Sequence, residues 1–166
     1  CCGLPAYVVV PIFQQYPATV AVPAEVAGYQ LRDDPDSTRV ARELADTAGA
    51  DDMFADDTFA AMYSGGPGHT VLVYGMTGLR FTPRDDLDAT FSRLAPRYAV
   101  KTSEQVDAGP AGGHQRCGVG AGDGDDLVLC AWADHGSLGV ATFSAGSVQR
   151  SAEVLAELRG QLLHRS

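Results

Sequence analysis

Cys117 and Cys130 constrain this chain more than any other feature, because the residues between them turn back on themselves about a Gly-Asp-Gly-Asp loop at 122–125. With that loop as a hairpin tip, Ala121 falls opposite Asp126, Val119 opposite Val128, and Cys117 opposite Cys130. Directly opposed residues on antiparallel strands lie ~4.5–5.5 Å apart at Cα, which suits a disulfide. Closing the 14-residue loop contributes about 3 kcal/mol in the chain-entropy description. The alternative is a pair of buried free thiols; a zinc site lacks the Cys-x-x-Cys or His-x-x-x-His companion it would need.

The hairpin belongs to a longer pattern. From Gly112 to Phe143 the residues read as a three-stranded antiparallel meander, with Asp134-His135-Gly136-Ser137 as its second loop. Ser147 then caps a closing helix whose Val148, Ala152, Leu155, Leu158 and Leu162 share one apolar face. Upstream, Asp34-Pro35 starts a helix carrying Val40, Leu44 and Ala48 on one stripe up to Gly49. Thr82-Pro83-Arg84-Asp85 starts another, with Leu87, Phe91 and Leu94 inward. Residues 56–63 read as a short helix with Phe59 and Met62 inward, and Gly65-Gly66-Pro67-Gly68 as a flexible connector. Strands are expected at Thr19–Val22, His69–Met76 and Tyr98–Thr102. The fold class is α+β: an antiparallel sheet with helices packed mainly on one face and a C-terminal amphipathic helix. At 166 residues one domain suffices, over residues 17–166, preceded by a membrane-proximal leader or linker at 1–16.

The leader is almost wholly apolar to Phe13 but falls short of the ~20 residues of a spanning helix, and Pro5 and Pro11 are expected to interrupt helix formation. Three readings stay open: the outer end of a transmembrane helix, a buried strand around Tyr7 to Val10, or a lipoprotein start at a lipid-modified Cys1. All are compatible with an extracytoplasmic domain.

Charge excludes several partners. Twenty-one acidic residues against 12 basic ones give a net charge of −9, with no Lys/Arg cluster, so nucleic acid and anionic lipid are poorly matched. The segment most suggestive of binding is Trp132-Ala133-Asp134-His135, which sets the only Trp beside an Asp-His pair at a hairpin tip; Gly136 and Asp134 are also what a tight turn requires. Asp123, Asp125 and Asp126 lack the spacing of an EF-hand loop and read as a solvated turn. Asp51, Asp52, Asp56 and Asp57 read as a solvated acidic cluster. The four histidines show no ligand spacing, and no metal, cofactor or catalytic residue is assigned.

The Pro-x-x-Val-x-Gly-Tyr-x-Leu run at Pro23–Leu31, the Asp-Pro helix start, and the Cys-Ala-Trp-Ala-Asp-His hairpin with its Leu-rich closing helix resemble membrane-anchored proteins of actinobacteria, over roughly residues 17–163. The order of elements is also similar to the Mog1/PsbP-like fold, shared by some actinobacterial lipoproteins whose members act as binding or assembly factors. These resemblances imply a non-catalytic, membrane-anchored binding or accessory module of the cell envelope, acting on an envelope protein or small ligand. They carry no residue roles over. Two other readings stand beside it: a small hydrolase or metal-dependent enzyme using His135 and Asp134, and a sensor domain of a transmembrane protein.

Overall fold

The computed structural model describes residues 4–50 and 52–165; Cys1, Cys2 and Asp51 lie outside the described residues. The leader is neither interrupted nor a strand: α1 spans Leu4–Gln15 with Pro11 inside it. Pro5 falls in the first turn, where the N–H it lacks has no intrahelical partner to lose. Pro11 removes a single backbone bond, and the pattern resumes beyond it as Tyr16 N–H donates to the Ile12 carbonyl at 2.9 Å. Among the described residues no helix is long and apolar enough to cross a membrane.

After β1 (Ala18–Val20) comes a tight hairpin of β2 (Glu25–Val26) and β3 (Tyr29–Leu31), turned by Ala27 and Gly28 at φ 51° and 85°. Two consecutive positive φ angles make a type I′ turn, which only Gly adopts without strain. Helix α2 (Pro35–Gly49) starts as expected, Asp34 accepting from the Ser37 N–H at 3.0 Å. Residues 57–64 form a strand, β4 (Asp57–Ser64), and the short helix expected there is absent. The Phe59–Met62 spacing imitates a helical face, but Phe59, Ala61 and Tyr63 alternate inward, and pairing along all eight positions with β5 (Thr70–Thr77) overrides the helical propensity of the alanines. The glycine connector is the hairpin turn between them, Gly65 N–H donating to the His69 carbonyl at 2.8 Å.

Helix α3 (Pro83–Leu94) begins at its proline, although Thr82 makes no side-chain cap. The strand expected from Tyr98 starts later, as β6 (Thr102–Val106), because residues 95–100 coil through Ala99 at φ 50°. The meander is β7 (His114–Gly122), β8 (Asp125–Asp134) and β9 (Ser137–Phe143), in the expected register: Ala121 faces Asp126, Val119 faces Val128, and Cys117 faces Cys130. The two sulfurs form a disulfide. Ser147 caps α4 (Val148–Leu162), accepting from the Arg150 N–H at 3.2 Å, and β10 (Leu163–Arg165) returns to pair with β1.

Eight strands form one antiparallel sheet in the order β2-β3-β4-β5-β9-β8-β7-β6. Period-two alternation gives it two apolar faces. Tyr74, Met76, Leu129 and Val140 meet α3 through Leu87 and Phe91, with Leu44 of α2 beside them. Phe59, Val73, Trp132 and Phe143 meet α4 through Leu155, Leu158 and Leu162. Two of the three sheet-covering helices thus share one face, and α4 alone covers the other. Each fully buried leucine contributes roughly 1.5–3 kcal/mol of transfer free energy, so this arrangement fixes α4 firmly against the sheet.

Candidate functional site

The Asp134–Ser137 corner turns inward. Trp132 is fully buried, its ring stacked on Phe59 at 6.1 Å between centroids, and its Nε1–H donates to Ser137 Oγ at 3.1 Å. Gly139 lies under the indole, where a Cβ would collide with the ring. Asp134 is equally buried and joins three donors. Its Oδ1 accepts from the Gly136 N–H at 2.9 Å; its Oδ2 accepts from Arg159 at 3.0 Å and from Arg165 at 2.6 Å. Arg159, with no exposed surface, also lies 5.6 Å from the Trp132 ring centroid. Burial pulls the Arg159 pKa down, and the neighbouring Asp134 carboxylate opposes that pull. His135 is partly buried and looks elsewhere, its Nδ1–H donating to the Arg80 carbonyl at 2.8 Å while its N–H donates to Gln15 Oε1 at 3.0 Å. The Asp134 carboxylate and the His135 ring thus engage different partners.

Two cationic side chains around one carboxylate are balanced by carbonyls of the segment that precedes β7. Arg159 donates to the carbonyls of Ala108 and Gly112 at 3.1 and 2.9 Å, and Arg165 donates to that of Ala111 at 2.9 Å. Asp134 therefore fastens loop 107–113 to α4 and β10. That loop is a wall.

The wall bounds a groove of about 880 Å³ between β6 and α4. Its floor is apolar and shallow-sided: Val106 from β6, Pro110 from the loop, and Val148, Ala152 and Ala156 from α4. The small residues Ala152, Ala156 and Gly160 recur at helical spacing and run from the buried Ala152 through the half-buried Ala156 to the exposed Gly160, so this flank of α4 is recessed beside its buried leucines. A Cβ on Gly160 would meet nothing within 4 Å, whereas one on Gly109 would come 2.9 Å from the Ala156 methyl, so the loop closes on the helix and the helix stays open to solvent. Glu104, Asp107, Glu153 and Glu157 stand among the lining residues, which include no Lys or Arg. A second recess of about 380 Å³, sharing Glu104 and Val148 with the first, continues past Cys117 to Val119, an apolar side chain 53% exposed. The hollow consequently follows the whole of β6.

β6 is also the end of the sheet. Among the described residues it pairs only with β7, and the opposite edge, β2, is two residues long. Unpaired strand edges are templates for another strand, and proteins usually blunt them by shortness, proline, charged side chains or a bulge, of which β6 has the single charge of Glu104. β6 reads Thr-Ser-Glu-Gln-Val, exposed at four of five positions. Glu104 and Val106 lie opposite Cys117 and Gln115; Cys117 belongs to the α4-side core and Gln115 donates to the Ala152 carbonyl at 3.0 Å, so these β6 side chains face the groove.

The other candidate residues scatter. Asp123 and Gly124 form the type I′ tip of the β7–β8 hairpin, at φ 51° and 91°, with Asp125 and Asp126 exposed beside it. Asp52 pairs with the nearly buried Arg80 at 2.6 Å, while Asp56 faces the Tyr16 hydroxyl, whose pKa it raises. Among the described residues, no three His, Cys, Asp or Glu gather as a metal site.

Asp52 gives a pH prediction. Burial would raise its pKa, but the hydrogen bond from Arg80 and that from the Phe54 N–H outweigh it and hold the carboxyl below its ordinary 3.8. A group depressed in the folded state stabilises above its unfolded pKa and loses that contribution as pH falls toward the folded value. Asp52→Asn should therefore flatten the acid limb of a urea-midpoint profile below about pH 4 and lower the midpoint at pH 7. Parallel profiles for the two proteins would contradict this.

Groove residues such as Glu104, Ala156 and Gly160 were not singled out by sequence pattern; the faint signal was the stripe of small residues on a leucine-faced helix. No protein-family model, curated protein or solved structure matches this chain.

Proposed function

We propose that this chain is a non-catalytic binding module of the bacterial cell envelope, working on the oxidising side of the membrane, and that it takes an extended polypeptide segment alongside β6. The reading rests on one observation: a sheet-edge strand free of proline and bulge, bordered along its length by an apolar-floored groove. In strand addition, main-chain hydrogen bonds to the edge supply affinity and alternate side chains entering a groove supply specificity. Side chains on one face of an added strand repeat every ~6.6–6.8 Å, matching Thr102, Glu104 and Val106 as successive groove-facing positions. The acidic lining favours lysine or arginine at those positions in the ligand. The disulfide supports the compartment, since such bonds persist outside the reducing cytoplasm.

Selection of a phage-displayed random-peptide library on the oxidised protein tests this. We expect extended peptides with alternate Lys or Arg, whose affinity weakens with salt and falls at least tenfold (~1.4 kcal/mol) in Gly160→Trp. That substitution fills the groove from open space and improves helix propensity. The double reversal Glu104→Lys/Glu153→Lys should shift selection toward acidic peptides. Peptides indifferent to both variants, or none recovered at all, would overturn the proposal.

A further inference from the structure

The end of the molecule where α1 joins the sheet carries large apolar side chains in water. Met53, Phe54 and Phe81 are 91%, 60% and 66% exposed, and Val10 and Phe13 of α1 are 49% and 74% exposed. Single exposed hydrophobics are ordinary, but grouped ones mark a contact surface. These belong to three chain segments fastened together at one place. Gly78 N–H donates to the Gly136 carbonyl at 3.1 Å, and Arg80 N–H to the His135 carbonyl at 3.0 Å. The Arg80 guanidinium holds Asp52, next to Met53, and Gln15 holds the His135 N–H. Gly78 lies so close to Phe54 that a Cβ there would collide with the Phe54 carbonyl. Val10 and Phe13, three residues apart, lie on one side of α1.

We propose that this end seats in the interface of a lipid bilayer, inserting Phe13, Met53, Phe54 and Phe81 at the headgroup–acyl boundary. α1 favours a bilayer over a protein partner: none of its 12 residues carries a charge, so no ion has to leave water when it meets lipid, and its exposed Phe13 adds to the apolar surface. The net charge of −9 selects the lipid, since an anionic bilayer repels this protein and a zwitterionic one does not. This inference stands apart from the β6 groove and can fail without it.

The test is flotation of the oxidised full chain with phosphatidylcholine vesicles, repeated with phosphatidylglycerol added. Binding is expected to the first and to weaken with the second. The triple variant Met53→Ser/Phe54→Ser/Phe81→Ser, which alters only exposed side chains, should keep its circular dichroism and melting temperature and lose at least tenfold in partitioning. In F54W, fluorescence should shift to the blue on vesicles and be quenched by lipids brominated on their acyl chains, a signal the buried Trp132 of the parent does not supply. No flotation of the parent, flotation unchanged in the triple variant, or unquenched F54W fluorescence would each overturn the proposal. So would a concentration-dependent dimer that the triple variant dissolves, because the patch would then be a contact between copies.

Discussion

Asp134→Ala is expected to cost about 3–5 kcal/mol of folding stability, because it leaves the guanidinium of Arg159 charged and buried with its carboxylate removed. Against the 5–15 kcal/mol typical of a domain this is a large fraction. For a chain of this size it corresponds to a fall in melting temperature of roughly 10 °C. The companion variant separates loss of a favourable pair from creation of an orphan charge. Asp134→Ala/Arg159→Met removes both groups, and we expect it to recover a substantial part of the deficit, since replacing a buried pair by apolar residues is often close to neutral. Urea unfolding of the three proteins measures this directly. Equal destabilisation in the single and double variants would show that the ion pair is not what holds this corner. A further consequence links the network to the groove: with Asp134 absent, Arg159 and Arg165 lose the anchor from which they hold the 108–112 carbonyls, so peptide affinity should fall although Asp134 contacts no ligand.

The second large effect is at the disulfide. Cys117 and Cys130 are fully buried between β7 and β8, and replacing both by alanine should lower stability by about 3 kcal/mol through release of the 14-residue loop in the unfolded chain, with an added penalty for the space left by the sulfurs. Urea midpoints of oxidised parent, reduced parent and the double alanine variant should fall in that order or with the last two close together. A reduced protein as stable as the oxidised one would remove the energetic case for the bond and weaken the assignment to an oxidising compartment.

What could be read in the sequence was local chemistry. The β7–β8 register follows from a turn whose Asp123-Gly124 pair tolerates positive φ, and the cysteines fall into line from there. The starts of α2 and α4 follow from Asp34 and Ser147 accepting backbone N–H bonds three residues on. β4 was misleading because the alternation of Phe59, Ala61 and Tyr63 is spread over small, helix-favouring residues, and only its neighbours in the sheet decide the matter. The interior role of Trp132 and Asp134 was hidden for a related reason. Their partners Phe59, Arg159 and Arg165 lie 25 or more residues away along the chain, so a segment that reads as a tight hairpin turn is also covered by α4 and β10. The groove is further from sequence pattern still, because it consists of what α4 leaves unfilled.

The central claim is that a ligand strand adds to β6. Amide hydrogen exchange followed by NMR, with and without a peptide selected on the oxidised protein, tests it most directly. The account predicts that β6 amides directed away from β7, within Thr102–Val106, become protected on binding, together with shifts at Ala156 and Gly160. Tight binding of the peptide with β6 exchange unchanged would contradict it.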